Sequence, residues 1–164
     1  MGQIHMSSKD DKKAERERLV FLSFLQSIGI AGDNASVESR RKPEPDILFK
    51  GRNGYVAFEL MEICTPEIKR DSSRLKKTGV SKAIWSIPSL GEAFGEKLRL
   101  VYDIKHPFEL LCYAGKESGS VDSDIIDAMK IEIESSVKIN FRRIWYLGEN
   151  GIFKVYETGG VPDL

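Results

Sequence analysis

The stretch Pro45-Asp46-Ile47-Leu48-Phe49-Lys50-Gly51-Arg52-Asn53-Gly54-Tyr55-Val56-Ala57-Phe58-Glu59 decides how this chain reads. Two short apolar runs flank a turn rich in Gly and Asn, the signature of a β-hairpin. Asp46 opens the first strand and Glu59 sits late in the second, so the hairpin folds the two acids back towards each other. Two carboxylates converging beside a sheet are the minimum for holding a hard divalent cation such as Mg2+ or Mn2+. Such a cation activates water and stabilises charge on a phosphate.

The second strand continues to Ile63. Its period of two sends Tyr55, Ala57, Glu59, Met61 and Ile63 to one face and Val56, Phe58, Leu60 and Glu62 to the other. Both faces are largely apolar, as in a central strand covered on two sides. A glutamate among such neighbours is expensive to bury without a partner, which marks Glu59 as functional.

Working outward, residues 14–28 read as a helix with Phe21, Phe24, Leu25 and Ile28 on one face and Gly29 at its end. Glu17 shares the Phe21 face, whereas Glu15 aligns with Leu19 and Leu22. After the hairpin, Thr65 to Ile87 is basic and without pattern, a long loop of the functional kind. Ser89 to Tyr102 reads as a second helix behind Pro88, and Phe108 to Tyr113 as a strand. A third helix runs from a cap at Asp122 or Ser123 to about Val137, with Ile125, Ile126, Met129 and Ile133 inward. Phe141 to Leu147 and Gly151 to Tyr156 form a last strand pair.

The order α-β-β-α-β-α-β-β predicts an α/β protein with a mixed central sheet flanked by helices. The expected organisation is a flexible segment over 1–13, a single domain over 14–158 and a loose tail over 159–164.

At 164 residues one domain is the natural size. Apolar residues at 41% and charged residues at 30% are an ordinary globular balance, and the formal net charge is zero. Any affinity for nucleic acid therefore rests on local clusters: Arg40, Arg41 and Lys42 before the hairpin, and Lys69, Arg70, Arg74, Lys76, Lys77 and Lys82 after it. The competing reading is that these charges solvate loops. Cys64 and Cys112 fit no metal spacing and read as buried thiols in a reducing compartment. No apolar run approaches the ~20 residues of a membrane span, and no signal-peptide pattern opens the chain, so a cytoplasmic location is expected. His5 and His106 form no zinc cluster, and no nucleophile elbow, P-loop or dinucleotide fingerprint occurs. Trp145 reads as core; Trp85, in the basic segment, is a candidate for base stacking.

Pro45-Asp46 opening one strand, with Glu59-Leu60-Met61 in the next and this order of elements around them, resembles the PD-(D/E)XK nuclease superfamily, the restriction-endonuclease-like fold, over about Glu15 to Tyr146. The resemblance implies a Mg2+-dependent nuclease acting on DNA. It implies Asp46 and Glu59 as catalytic metal ligands, with the Leu60 carbonyl as a third ligand and Glu17 as the acid some members carry on the first helix. The motif lysine is replaced by Met61. Lys97, on the second helix, is the candidate for a migrated lysine; Lys50 and Glu62 are the alternatives. The rival expectation is a degenerate nuclease fold that binds nucleic acid or protein, or a subunit of a larger complex. A homodimer through the last strand pair fits the small size.

Overall fold

The structure, a computed structural model, describes residues 8–31, 36–63, 82–115 and 122–164. The elements are α1 (Lys9–Ser27), β1 (Val37–Ser39), β2 (Ile47–Gly51), β3 (Gly54–Glu62), α2 (Lys82–Leu98), β4 (Phe108–Tyr113), α3 (Asp122–Ser135), β5 (Arg143–Gly148) and β6 (Gly151–Glu157). The six strands form one sheet in sequence order. β3, β4 and β5 are parallel, and the other neighbours are antiparallel. This is the expected α/β architecture with a mixed sheet.

The two faces of β3 separate as the period of two requires. Val56, Phe58 and Leu60 pack with Phe21, Phe24 and Leu25 of α1. Ala57, Met61 and Ile63 pack with Leu90, Phe94 and Leu98 of α2 and with Ile125 and Met129 of α3. The sheet therefore lies between α1 on one side and the α2–α3 pair on the other. On the α1 side the core is aromatic: the Phe21 and Phe58 rings meet edge to face at 4.8 Å, a favoured geometry beyond simple burial. Met61 is only 8% exposed, so the residue standing where a lysine was sought is a packing residue.

The structure adds β1, a strand the expected order lacks, and shifts several boundaries. α1 begins at Lys9, not 14, because Ser8 and Asp11 form a capping box: Ser8 Oγ accepts the Asp11 N–H at 3.1 Å, and Asp11 Oδ2 accepts the Ser8 N–H at 3.2 Å. The flexible segment expected over 1–13 thus gives way to helix at its end. α2 spans Lys82–Leu98, with Pro88 inside it rather than ahead of it. The tail expected to be loose is held: Arg143 Nη2 donates to the Val161 and Pro162 carbonyls at 3.2 and 2.7 Å, and Asn53 Nδ2 to the Asp163 carbonyl at 2.8 Å. Leu164 packs against the α1-side core. Gly54 and Gly151 take the positive φ values, 109° and 125°, that the two hairpin turns demand.

No helix among the described residues is long and apolar enough to cross a membrane. Cys112 is a buried free thiol, and Trp145 is half-buried. Lys69, Arg70, Arg74, Lys76 and Lys77, with Cys64, lie outside the described residues, as does the side chain of Trp85.

Candidate functional site

The β2–β3 ladder ends at Ile47 opposite Phe58. One step further the strands part, and the two acids occupy the opening. Asp46 fills it from the β2 side: its Oδ2 accepts the Leu60 N–H at 2.8 Å, satisfying a strand donor that lacks a partner there. Glu59 fills it from β3 and is fully buried. Leu60 itself is buried at 4% exposure, and its contact with Asp46 runs through its N–H.

Two lysines converge on one oxygen of Glu59. Lys97 Nζ, from the last turn of α2, lies 2.7 Å from Glu59 Oε1, and Lys42 Nζ lies 3.1 Å from the same atom. Lys42 is also 3.9 Å from Asp46 Oδ1 and 3.3 Å from the Tyr102 hydroxyl. One ammonium therefore reaches both acids, so Asp46 and Glu59 do face a common point. The second oxygen, Glu59 Oε2, is buried and has no hydrogen-bond partner among the described residues. Such an atom bears a full desolvation cost without return.

Glu17 approaches from α1. It is 6% exposed and pairs with Lys13 at 3.4 Å. Burial, then the charge of Asp46, raises its pKa against the opposing pull of Lys13. Asp46 is raised by burial and by Glu59. Burial also pushes Glu59 up, but the hydrogen bond and charge of Lys97, followed by Lys42, hold it below the usual carboxylate range. Lys42 is held above the ordinary lysine value: burial works the other way, and the charges of Glu59 and Asp46 outweigh it. The Tyr102 hydroxyl is raised by burial and by Glu59. These shifts divide the cluster into an ionised Glu59 locked to lysine and two acids, Asp46 and Glu17, with strengthened hold on their protons.

A cavity of about 340 Å3 opens onto Asp46 and Glu17. The buried Glu17 and the half-buried Asp46 line it together with the exposed Asp10, Asp11, Lys13, Arg41 and Lys42. Arg41 is 92% exposed and loosely paired with Asp11 at 3.4 Å. The remaining sequence candidates stand apart. Lys50 lies against the Tyr55 ring, 5.8 Å from its centroid. Glu62 pairs with Arg16 of α1 at 3.3 Å, on the face strand alternation assigns it. Glu15 is exposed. Sequence reasoning missed Tyr102, which lies 60 positions from Lys42 and carries no local signal.

No protein-family profile matches the chain. No curated protein matches it either. Among solved structures it is similar to PA4535 from Pseudomonas aeruginosa strain PAO1, described as a protein of unknown function of a monooxygenase superfamily, at TM-score 0.49 and 18% identity, covering 92% of this chain and 76% of that one. A likeness at that level says nothing about chemistry. The assignment to the PD-(D/E)XK nuclease superfamily, and with it the expected Mg2+-dependent DNA cleavage and the degenerate-nuclease alternative, is withdrawn: no family profile and no curated relative supports it. Among the described residues there is also no group of three or more His, Cys, Asp or Glu side chains arranged to hold a metal ion. Where a complete protein cage would need a third acidic ligand, Lys42 and Lys97 stand against Glu59 instead.

Proposed function

We propose that the Asp46–Glu59 cluster is a binding site for a divalent cation, Mg2+ or Mn2+, together with a phosphate-bearing chain, in the first instance nucleic acid. The observation that carries this reading is the orphaned Glu59 Oε2, buried beside Asp46. Mg2+ is held typically by one or two carboxylates plus ligand phosphates and waters, so a two-acid site suits it where a complete protein cage is lacking. The charge layering supports the same reading. Asp46 and Glu17 draw a cation inward, and Arg40 with the exposed Lys13, Arg41 and Lys42 supplies contacts for phosphate beside the exposed Asp10 and Asp11. Asp46 and Glu59 would hold the ion; Lys42 and Lys97, set free from Glu59 as it binds, would turn to phosphate oxygens. Such ammonium–phosphate contacts are charge-assisted and short.

The reading is one of binding. Titration of Mn2+ into the protein, followed by calorimetry, tests it directly. The wild type takes up the ion, and Asp46→Asn and Glu59→Gln lose that uptake. Identical heats from all three proteins would overturn it.

A further inference from the structure

We infer that the ligand of this site is single-stranded nucleic acid, whose bases stack on an aromatic and basic path leading away from the acids across Tyr102, His106 and Tyr55. This rests on the phosphate-binding reading above and names its substrate class.

The path is built from two sets of ring contacts that border one cavity. It starts at Lys42, which bridges the acids to the Tyr102 hydroxyl and lies 5.8 Å from the Tyr102 ring centroid. Tyr102 borders a second cavity, about 360 Å3, whose wall also includes Ile104, His106, Phe108, Asn140 and Arg142. That volume matches a small-molecule pocket and accommodates a nucleobase. On the far side, the His106 and Tyr55 rings sit 5.5 Å apart. The Lys50 ammonium lies over Tyr55 and closes the path.

Three features set this surface apart from ordinary packing. Tyr55 is 45% exposed, although aromatic residues here are otherwise mostly withdrawn from water. His106 and its neighbours Lys105 and Pro107 are exposed as well. Two of the three rings, Tyr55 and the half-buried Tyr102, are each accompanied by a lysine, the pairing that tracks bases and phosphates of an unpaired strand together. A duplex hides its base faces in the stack, so exposed rings along a surface cannot engage them. The backbone would follow Lys42 and Lys50, while bases lie on the intervening rings.

Fluorescence anisotropy with a labelled twelve-residue oligothymidylate, the same sequence as duplex, and oligouridylate tests the inference, each in Mn2+ and in EDTA. Single strands are expected to bind at least about tenfold tighter than duplex, and the deoxy and ribo arms identify the natural sugar. Tyr55→Ala and His106→Ala are each expected to weaken single-strand binding by about fivefold or more, the loss of one stacked base. Both positions are exposed, and thermal melts should leave the fold unchanged. Tyr102→Phe, which keeps the ring and removes only the bond to Lys42, is expected to stay within twofold of wild type where Tyr102→Ala does not. Duplex binding equal to single-strand binding, or Tyr55→Ala and His106→Ala both indistinguishable from wild type, would overturn the inference. Loss of Mn2+ uptake with ring-dependent single-strand binding intact would sink the cation reading alone and leave the path standing.

Discussion

Two fully buried glutamates lie on adjacent strands of the same sheet, and they live in opposite conditions. Glu109, on β4, accepts Arg142 Nε at 2.7 Å and Arg143 Nη1 at 3.0 Å through Oε1, and Trp145 Nε1 at 2.7 Å through Oε2. Both of its oxygens are used, and Arg143 goes on to the tail carbonyls and to Glu157. Glu59, on β3, offers one oxygen to two lysines and leaves the other with no described partner. The first arrangement holds the last strands and the tail together. The second retains an unspent acceptor beside another acid, Asp46, which itself lines a cavity. Burial alone does not separate a structural carboxylate from a functional one; the count of satisfied lone pairs does.

The largest effect that would sharpen this contrast is expected from Glu109→Gln. The amide would turn a donor toward groups that are all donors, and Arg143, only 2% exposed, would lose half its compensation. Breaking a buried pair in this way costs about 3–5 kcal/mol, readable as a fall in the urea midpoint.

Next comes Asp122, a third carboxylate that is satisfied like Glu109. It accepts the Tyr146 hydroxyl at 2.8 Å and the Glu149 and Asn150 N–H groups at 3.2 and 2.9 Å, fixing the β5–β6 turn. Asp122→Ala is expected to cost about 2–3 kcal/mol for the donors it strands. Burial pushes the pKa of Asp122 up, but the Asn150, Tyr146 and Glu149 bonds outweigh it and depress the value. Its contribution is therefore complete above the unfolded aspartate value of about 3.9 and fades as pH falls through the lower folded value. The stability gap between wild type and Asp122→Asn should shrink in that acid window; a gap constant down to the acid limit would show that the charge plays no part.

Lys97→Met comes third. It removes a positive charge adjacent to the proposed ion site. A unit charge at 4 Å is worth about 1 kcal/mol even in water, so Mn2+ uptake should tighten about fivefold. Unchanged uptake would break the proposed competition between Lys97 and the cation.

The smallest stability change is expected from Glu59→Gln, within about 1 kcal/mol of wild type, because its partners Lys42 and Lys97, 59% and 24% exposed, can turn to water once the charge is gone, whereas Arg143 beside Glu109, at 3%, cannot. A loss as large as that of Glu109→Gln would erase the distinction between the two glutamates and make Glu59 structural.

Much of this fold was legible in particular residues. Alternation along Tyr55 to Ile63 assigned each β3 side chain to its layer correctly, because a strand covered on both faces leaves no freedom of register. The α1 start was also written in the sequence, in Ser8 and Asp11, but a reading based on apolar periodicity begins where the apolar face begins and passes over the cap. The Asp46–Glu59 convergence followed from the hairpin alone. Lys97 reached Glu59 as its helix position allowed. The family drawn from these same residues did not survive comparison, since a short acidic motif on a hairpin specifies geometry far more strongly than ancestry or chemistry.

The sequence by itself determined the hairpin, the layer to which each β3 side chain belongs, and the meeting of two acids at its open end. These are local consequences of a two-residue period and a glycine turn. Tertiary structure alone decided what surrounds those acids: Lys42 and Lys97 on one oxygen of Glu59, Tyr102 behind Lys42, and an unpartnered oxygen left over. Those contacts join positions 17 to 60 residues apart, and no local propensity encodes them. They arise where strands part at a ladder's end and helices from both faces close over the gap.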